Sequence, residues 1–148
     1  MAESAASTSK VDTKTDASRV HSVVSMIHVS NVDRSAAFYR LLGFEIGNFV
    51  PREGEKSWAW LYSPGAADWK IGPNLMLART SRPLNPGAQD VLFYLYAKDL
   101  NAVRSRLIAE GFKPGEIEHP EYLPNGEFGV QDPDGYCLMI AQAAEDTP

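Results

Sequence analysis

An internal repeat constrains the fold more than any other feature of the sequence. Residues 32–44 align without a gap with residues 100–112, at an offset of 68 positions. Each copy follows a residue suited to capping a helix, Asn31 or Asp99, and continues with apolar residues at helical spacing and a Gly-Phe exit. Strand-like segments flank each helix in the same order. The repeat therefore predicts two tandem modules, each of the form βαβββ.

The boundaries of the two modules follow from composition and pattern. Strands rich in β-branched and aromatic residues are predicted at 22–29, 44–50, 57–62 and 73–79, and again at 91–96, 116–122, 126–131 and 136–142. Neither module can bury both faces of a sheet alone. We therefore expect an α+β domain in which a curved mixed sheet surrounds a cup and the helices cover its outer face.

The remaining segments lack a periodic apolar pattern. Residues 1–20 are rich in small and polar residues, and we predict a disordered tail. Residues 80–88 are rich in turn formers and are interpreted as a linker within a single domain at 21–144, between modules at 22–80 and 89–143.

Two motifs extend this interpretation. The first runs from His28 to Tyr39 and continues in Leu42-Gly43-Phe44, and the second runs from Gly126 to Tyr136. The Asp-Pro-Asp-Gly sequence at 132–135 is explained by turn chemistry alone. Taken together, the motifs resemble the vicinal oxygen chelate superfamily, which includes glyoxalase I, extradiol dioxygenases, fosfomycin-resistance proteins and bleomycin-resistance proteins. The resemblance covers residues 22–143 and implies the fold without specifying one activity.

The resemblance also addresses metal binding. Metal-dependent members of the superfamily hold their ion with His or Glu side chains from four strands. The corresponding positions here are Val24, Met76, Leu92 and Met139, all apolar. A hard divalent cation would find no usual ligand there. We therefore predict no metal and no cofactor, and the chain is closest in style to metal-free bleomycin-resistance proteins.

Side-chain alternation along the strands predicts the lining of the cup. On residues 57–62 we assign the large aromatic side chains to the cup, because the small Ala59 fits better beneath a helix. Ligand pockets are typically apolar with a few orienting polar groups. The predicted ligand-binding residues are His28, Trp58, Trp60, Met76, Tyr94, Tyr96, Tyr122, Glu127 and Met139. The aromatic residues could instead form core or a subunit interface, His28 could be a polar strand end, and Glu127 a solvated edge carboxylate.

Three functions are compatible with this lining. In the first, the protein sequesters an aromatic or amphipathic compound such as an antibiotic, with no catalytic residue, and the resemblance implies a homodimer. In the second, it is a lyase or oxidoreductase with a relocated metal site, or with acid–base chemistry, at His28 and Glu127. In the third, the aromatic surface contacts a protein partner.

Charge and composition limit the classes of molecule that the protein is expected to bind. The net charge of −5 argues against nucleic acid, which selects basic surfaces. No apolar stretch approaches the roughly 20 residues that span a bilayer, so no membrane partner is expected. The single cysteine, Cys137, excludes an intrachain disulfide and favours a cytoplasmic location.

Overall fold

The computed structural model describes residues 18–20, 22–66 and 72–144. The first module contains β1 (Ser25–Val29), α1 (Val32–Arg40), β2 (Glu45–Val50), β3 (Trp58–Tyr62) and β4 (Asn74–Arg79). A short 3₁₀ helix, Pro86–Ala88, precedes the second module, which contains β5 (Phe93–Ala97), α2 (Leu100–Ala109), β6 (Glu127–Gln131) and β7 (Cys137–Gln142). The predicted tail lies outside the described residues except at 18–20. The exact domain and linker boundaries stay predictions.

The strands form two mixed sheets, one in each module. The first sheet has the order β1-β4-β3-β2 and the second has the order β5-β7-β6. In both, the strand before the helix runs parallel to the last strand of its module, β1 beside β4 and β5 beside β7. The remaining neighbours are antiparallel. This arrangement confirms the α+β prediction.

Alternation along the strands separates a core face from an open face in each sheet. In the first module Ile27, Ala59 and Leu61 are buried, whereas Met26 is about half exposed. The buried face packs against α1, which contacts β2, β3 and β4. In the second module Phe128, Val130, Leu138 and Ile140 are buried. The predicted choice of face on residues 57–62 was correct, because Ala59 and not the tryptophans lies in the core.

The repeat is reproduced in the ends of both helices. Asn31 caps α1 by accepting a hydrogen bond from the Arg34 amide, and Asp99 caps α2 in the same way from the Ala102 amide. Both helices end at a glycine with positive φ, 102° at Gly43 and 92° at Gly111. The following phenylalanine amide then donates to a carbonyl in the last turn of the helix, in both modules.

One predicted strand is nearly absent. Within the segment predicted at 116–122, Glu118 makes an isolated bridge with Glu127, and no strand forms there. Upstream, the Gly115 amide donates to the Gly129 carbonyl, so the segment runs beside β6. Pro114 and Pro120 cannot donate backbone hydrogen bonds, which explains why the pairing does not extend.

An aromatic contact joins the two modules in the core. The Phe38 ring of α1 lies edge-on to the Phe112 ring that follows α2, with centroids 4.9 Å apart. Phe38 also contacts Tyr39 edge-on at 5.1 Å. Arg106 of α2 reaches across and donates to the Leu41 carbonyl. The Gly-Phe exit of the second module therefore serves packing between the modules as well as helix termination.

A polar contact joins the modules at the turn between β6 and β7. The Tyr39 hydroxyl donates to the buried Asp132 carboxylate over 2.7 Å, and the backbone amides of Asp134 and Tyr136 donate to the other carboxylate oxygen. Burial raises the pKa of Asp132, although these hydrogen bonds oppose the shift. Burial, followed by the charge of Asp132, also raises the pKa of Tyr39, so its hydroxyl stays protonated.

Asp134 extends this contact. It accepts hydrogen bonds from the Ser30 amide and hydroxyl and from Arg34, whose nitrogen lies 2.8 Å from Oδ1. The Asp-Pro-Asp-Gly sequence was interpreted as a turn without further function. It makes that turn and also connects the second module to the first.

Candidate functional site

The open face of the first sheet carries aromatic and thioether side chains in neighbouring rows. Met26, Met76 and Trp60 are paired across β1, β4 and β3. His28 and Trp58 flank Ala78 in the next row. Trp60 stacks on Tyr62 with centroids 5.2 Å apart and an interplanar angle of 14°. These rings offer a flat apolar surface of the kind that planar compounds stack on.

Two smaller residues hold the Trp60 ring in place. Its indole nitrogen donates to the Asn74 amide oxygen over 2.6 Å. On the neighbouring strand Gly47 lies directly beneath the ring, and a Cβ atom there would overlap the indole. The glycine interrupts the pattern of β2 because the indole needs the space that a side chain would occupy.

The open face of the second sheet is also aromatic. Tyr94 and Tyr96 stack with centroids 6.4 Å apart and an interplanar angle of 29°. Tyr94 is paired with Met139, whose sulfur lies over Gly129 on the next strand. The two tyrosines are 38% and 56% exposed, unlike the buried residues on the other side of the sheet.

This second face contains a buried carboxylate. Glu127 is 5% exposed, and its two oxygens accept hydrogen bonds from the Tyr94 and Tyr122 hydroxyls, each over 2.9 Å. The hydrogen bond to Glu127 is the largest cause of the raised pKa of Tyr94, so the phenol stays protonated as a donor. Glu127 is therefore not the solvated edge carboxylate considered above.

The structure does not bring all nine predicted ligand-binding residues to one cavity. A cavity of about 660 Å³ lies between the modules, lined by Phe44, Leu95, Ile140 and others, and it includes Tyr94 and Tyr96. The other seven predicted residues do not line it. The walls of this cavity include core side chains such as Phe44, Leu138 and Ile140, whereas the aromatic faces lie on the opposite side of the strands from the core. The assignment of ligand-binding roles stays a prediction.

Comparison with known proteins identifies the family. The family model of the Glyoxalase/Bleomycin resistance protein/Dioxygenase superfamily matches residues 19–140. The chain belongs to this superfamily. No curated protein matches it in sequence.

Several solved structures share the fold of this superfamily member. A bleomycin-binding protein complexed with bleomycin has 22% sequence identity and a TM-score of 0.62, covering 84% of this chain and 100% of the other. TioX from Micromonospora sp. ML1 has 18% identity and a TM-score of 0.66, with the same coverage. TnmS3, an antibiotic binding protein from Streptomyces sp. CB03234, has 20% identity and a TM-score of 0.62, covering 85% and 99%. At these identities the likeness shows the fold alone.

The residues present do not fit the metal site of the superfamily's metal-dependent members. Met76 and Met139 occupy equivalent places in the inner strands β4 and β7, and thioethers are poor ligands for hard cations. Within the described ranges, no three His, Cys, Asp or Glu side chains are grouped to hold an ion. His28 and Glu127, the alternative pair, lie on different sheets.

Alternation along the strands already placed Tyr62, which extends the Trp60 stack, and Asn74, which holds the indole, on the open face. Gly47, which makes room for the indole, was not predicted. Gly47 could have been recognised, since a glycine inside a strand often marks a close approach. In the part of the chain that is described, no helix has the length and apolarity to cross a bilayer.

Proposed function

We propose that this superfamily member binds a small aromatic or amphipathic organic compound against the open faces of its two sheets and sequesters it without chemical change. An antibiotic is the class to test first. The observation that carries the proposal is the pair of stacked rings on each sheet, Trp60 with Tyr62 and Tyr94 with Tyr96. Both pairs lie on the face opposite the core.

The exposure of these faces supports binding rather than a purely structural role. Met26 is 49% exposed in the row that it shares with Met76 and Trp60, and Tyr96 is 56% exposed. Exposed apolar groups gathered on one surface usually mark an interaction site. Aromatic rings supply stacking area, and the flexible thioethers adapt to irregular shapes. Proteins of similar structure include a bleomycin-binding protein and an antibiotic binding protein, which makes these compounds reasonable first probes.

The proposal includes a homodimer. Within one chain the cavity between the modules contains neither Trp60 nor Glu127, so it does not unite the two faces. A second copy could set the tryptophan face of one chain opposite the tyrosine face of the other and close a cup between them. Sedimentation velocity across a dilution series tests this. A species of twice the 16.3 kDa chain mass is expected, and a monomer throughout would contradict it.

Tryptophan fluorescence tests ligand binding directly. In a Trp69→Phe background, Trp58 and Trp60 are the remaining indoles, and both lie on β3. Titration with planar aromatic and cationic antibiotics, bleomycin among them, should quench this emission saturably.

A second substitution tests whether the tryptophan face is the site. Trp60→Ala should weaken binding about tenfold or more, because a central aromatic contact is typically worth at least 1–2 kcal/mol. Phe49→Leu, on the neighbouring strand β2, is the control and should leave affinity unchanged. A flat response of the parent protein to the whole panel would contradict the proposal.

A further inference from the structure

We infer that Glu127, held by Tyr94 and Tyr122, is the anchor for a cationic nitrogen of the bound compound, a protonated amine or a guanidinium. The inference rests on the proposed function and specifies the ligand class: an aromatic compound that carries a positive charge. The contacts that support it lie in the second module and have no counterpart among the described residues of the first.

The carboxylate has hydrogen bonds but no counter-ion. Its two oxygens each accept from a neutral phenol, Tyr94 or Tyr122. Among the described residues, no Lys, Arg or His forms an ion pair with Glu127. A carboxylate withdrawn from water is costly unless its charge is compensated. A ligand cation would supply that compensation, and a neutral or anionic ligand would not.

Tyr122 covers the carboxylate in a way that a ligand can displace. It lies in the irregular segment between Glu118 and β6, and it is 69% exposed. Its hydroxyl can exchange the bond to Glu127 for bonds to water at little cost, because a typical hydrogen bond contributes only about 1 kcal/mol net. An N–H donor that carries positive charge makes a stronger bond to the same oxygen.

The surrounding rings favour the same class of ligand. Tyr96 and Glu127 flank Ala141 in one row of the sheet, and Tyr94 stacks on Tyr96. A cation near the face of an aromatic ring is attracted by the ring's quadrupole. An aromatic compound with a charged nitrogen could therefore stack on the tyrosines and reach the carboxylate.

The distribution of charge in the sequence agrees with this placement. Residues 89–143 contain nine Asp and Glu against four Lys and Arg, whereas residues 22–80 contain five against six. Glu116, Glu118 and Glu121 precede Tyr122 within the same segment. Of the two modules, only the second carries a net negative charge, which attracts cations and repels anions over its surface.

A matched pair of fluorescent probes tests the anchor. The compounds 1-pyrenemethylamine and 1-pyrenemethanol share a planar aromatic body, but only the amine is charged at pH 7. Titrated into the full chain and followed by tryptophan quenching, the amine should bind about tenfold tighter, the smaller end of what a charge-assisted hydrogen bond contributes. Glu127→Gln should abolish this preference, so that the ratio of the two dissociation constants falls to about one.

Glu121→Gln is the matched control, since it removes the same charge from an exposed neighbour. It should change the preference by less than about twofold, as screened surface charges contribute little. Equal affinity of the parent protein for amine and alcohol would overturn the anchor and leave the aromatic cup intact. A preference that survives in Glu127→Gln would also overturn it. Failure of both probes to quench would contradict the cup itself, and the anchor with it.

Tyr122→Phe provides an independent test if circular dichroism shows that Glu127→Gln does not fold. This variant removes a competing donor from one carboxylate oxygen and changes only an exposed hydroxyl. The preference for the amine over the alcohol should rise about threefold, since one neutral hydrogen bond no longer has to be displaced. Equal changes for both probes, or weaker binding of the amine alone, would contradict the inference.

Discussion

The two modules keep the same helix ends but differ on their open faces. Asn31 and Asp99 cap the helices alike, and Gly43 and Gly111, both with positive φ, end them. On the open faces the first module presents an indole bonded to an amide, whereas the second presents phenols bonded to a carboxylate. The repeat therefore preserves what the backbone requires, and the side chains that face outward diverge.

The difference extends to the edges of the sheets. The first module has four strands, and the second replaces the corresponding strand with the bridge at Glu118. That loss leaves Tyr122 on an irregular segment from which it reaches Glu127. The charged Glu127 and the displaceable phenol of Tyr122 are thus found in the second module, whose sheet edge is less regular. The first module, with the complete sheet, presents the neutral stacking surface of Trp60 and Tyr62.

The largest expected loss of stability comes from removing the aromatic contact that joins the two modules in the core. Phe38→Ala removes a fully buried ring that contacts Phe112 across the boundary. The free energy of unfolding should fall by about 3–5 kcal/mol, as for other buried Phe truncations. Urea unfolding followed by circular dichroism measures this. Two separate transitions in the parent protein would contradict the view that this shared core couples the modules.

Removing a hydrogen bond from the buried Asp132 carboxylate should cause a smaller loss of stability, and this loss should depend on pH. Tyr39→Phe removes the hydrogen bond to Asp132 and should cost about 2 kcal/mol at pH 7, where the buried charge loses a partner. Because burial raises the folded-state pKa of Asp132, its contribution to stability is greatest below its unfolded value and falls as pH rises through the folded value.

The variant loses a hydrogen bond that opposes this shift, so its folded-state pKa for Asp132 should be higher still. The cost of Tyr39→Phe should therefore be larger at pH 7 than near pH 4, which unfolding curves at both pH values would reveal. Tyr136→Phe is the control, since its hydroxyl donates to the His28 carbonyl. An equal cost of Tyr39→Phe at both pH values would contradict the assigned role of Asp132.

The two open faces can be compared through their glycines. At Gly47 an added Cβ would overlap the rigid Trp60 ring, whereas at Gly129 it would meet the flexible Met139 sulfur at 3.4 Å. Gly47→Ala should cost about 1–2 kcal/mol and shift tryptophan emission, and Gly129→Ala should cost less than about 1 kcal/mol. Thermal unfolding and emission spectra measure both. Equal costs would show that the faces are packed alike.

The smallest expected loss of stability comes from an ion pair that joins the two modules near the protein surface. Arg34→Gln removes an ion pair whose arginine is 53% exposed and whose Asp134 side chain is 6% exposed. Because the Ser30 amide and hydroxyl still donate to Asp134, stability should fall by only about 0.5 kcal/mol. Arg40→Gln removes a pair within the first module, to Glu45, and should cost no more. A loss above about 2 kcal/mol for Arg34→Gln would mean that the polar contact contributes more than screened surface charges do.

Local pattern was sufficient for most of the fold. Capping residues, glycine exits and apolar alternation depend on nearby backbone geometry, so they located both helices and seven of the eight predicted strands. The segment at 116–122 was wrongly predicted to form a strand. Pro114 and Pro120 limit its hydrogen bonds to β6, and that pairing depends on the register between distant segments. The composition of the open faces was equally readable, since alternate residues on a strand share a face.

The sequence by itself determined which residues face away from the core, because that choice depends on a two-residue period. Tertiary structure decided what those residues contact. It brought the hydroxyls of Tyr94 and Tyr122 to Glu127, set Gly47 beneath Trp60, and used the turn at Asp132 and Asp134 to join the modules. Each of these contacts links separate elements of the chain, and their geometry depends on strand pairing and packing that no local pattern encodes.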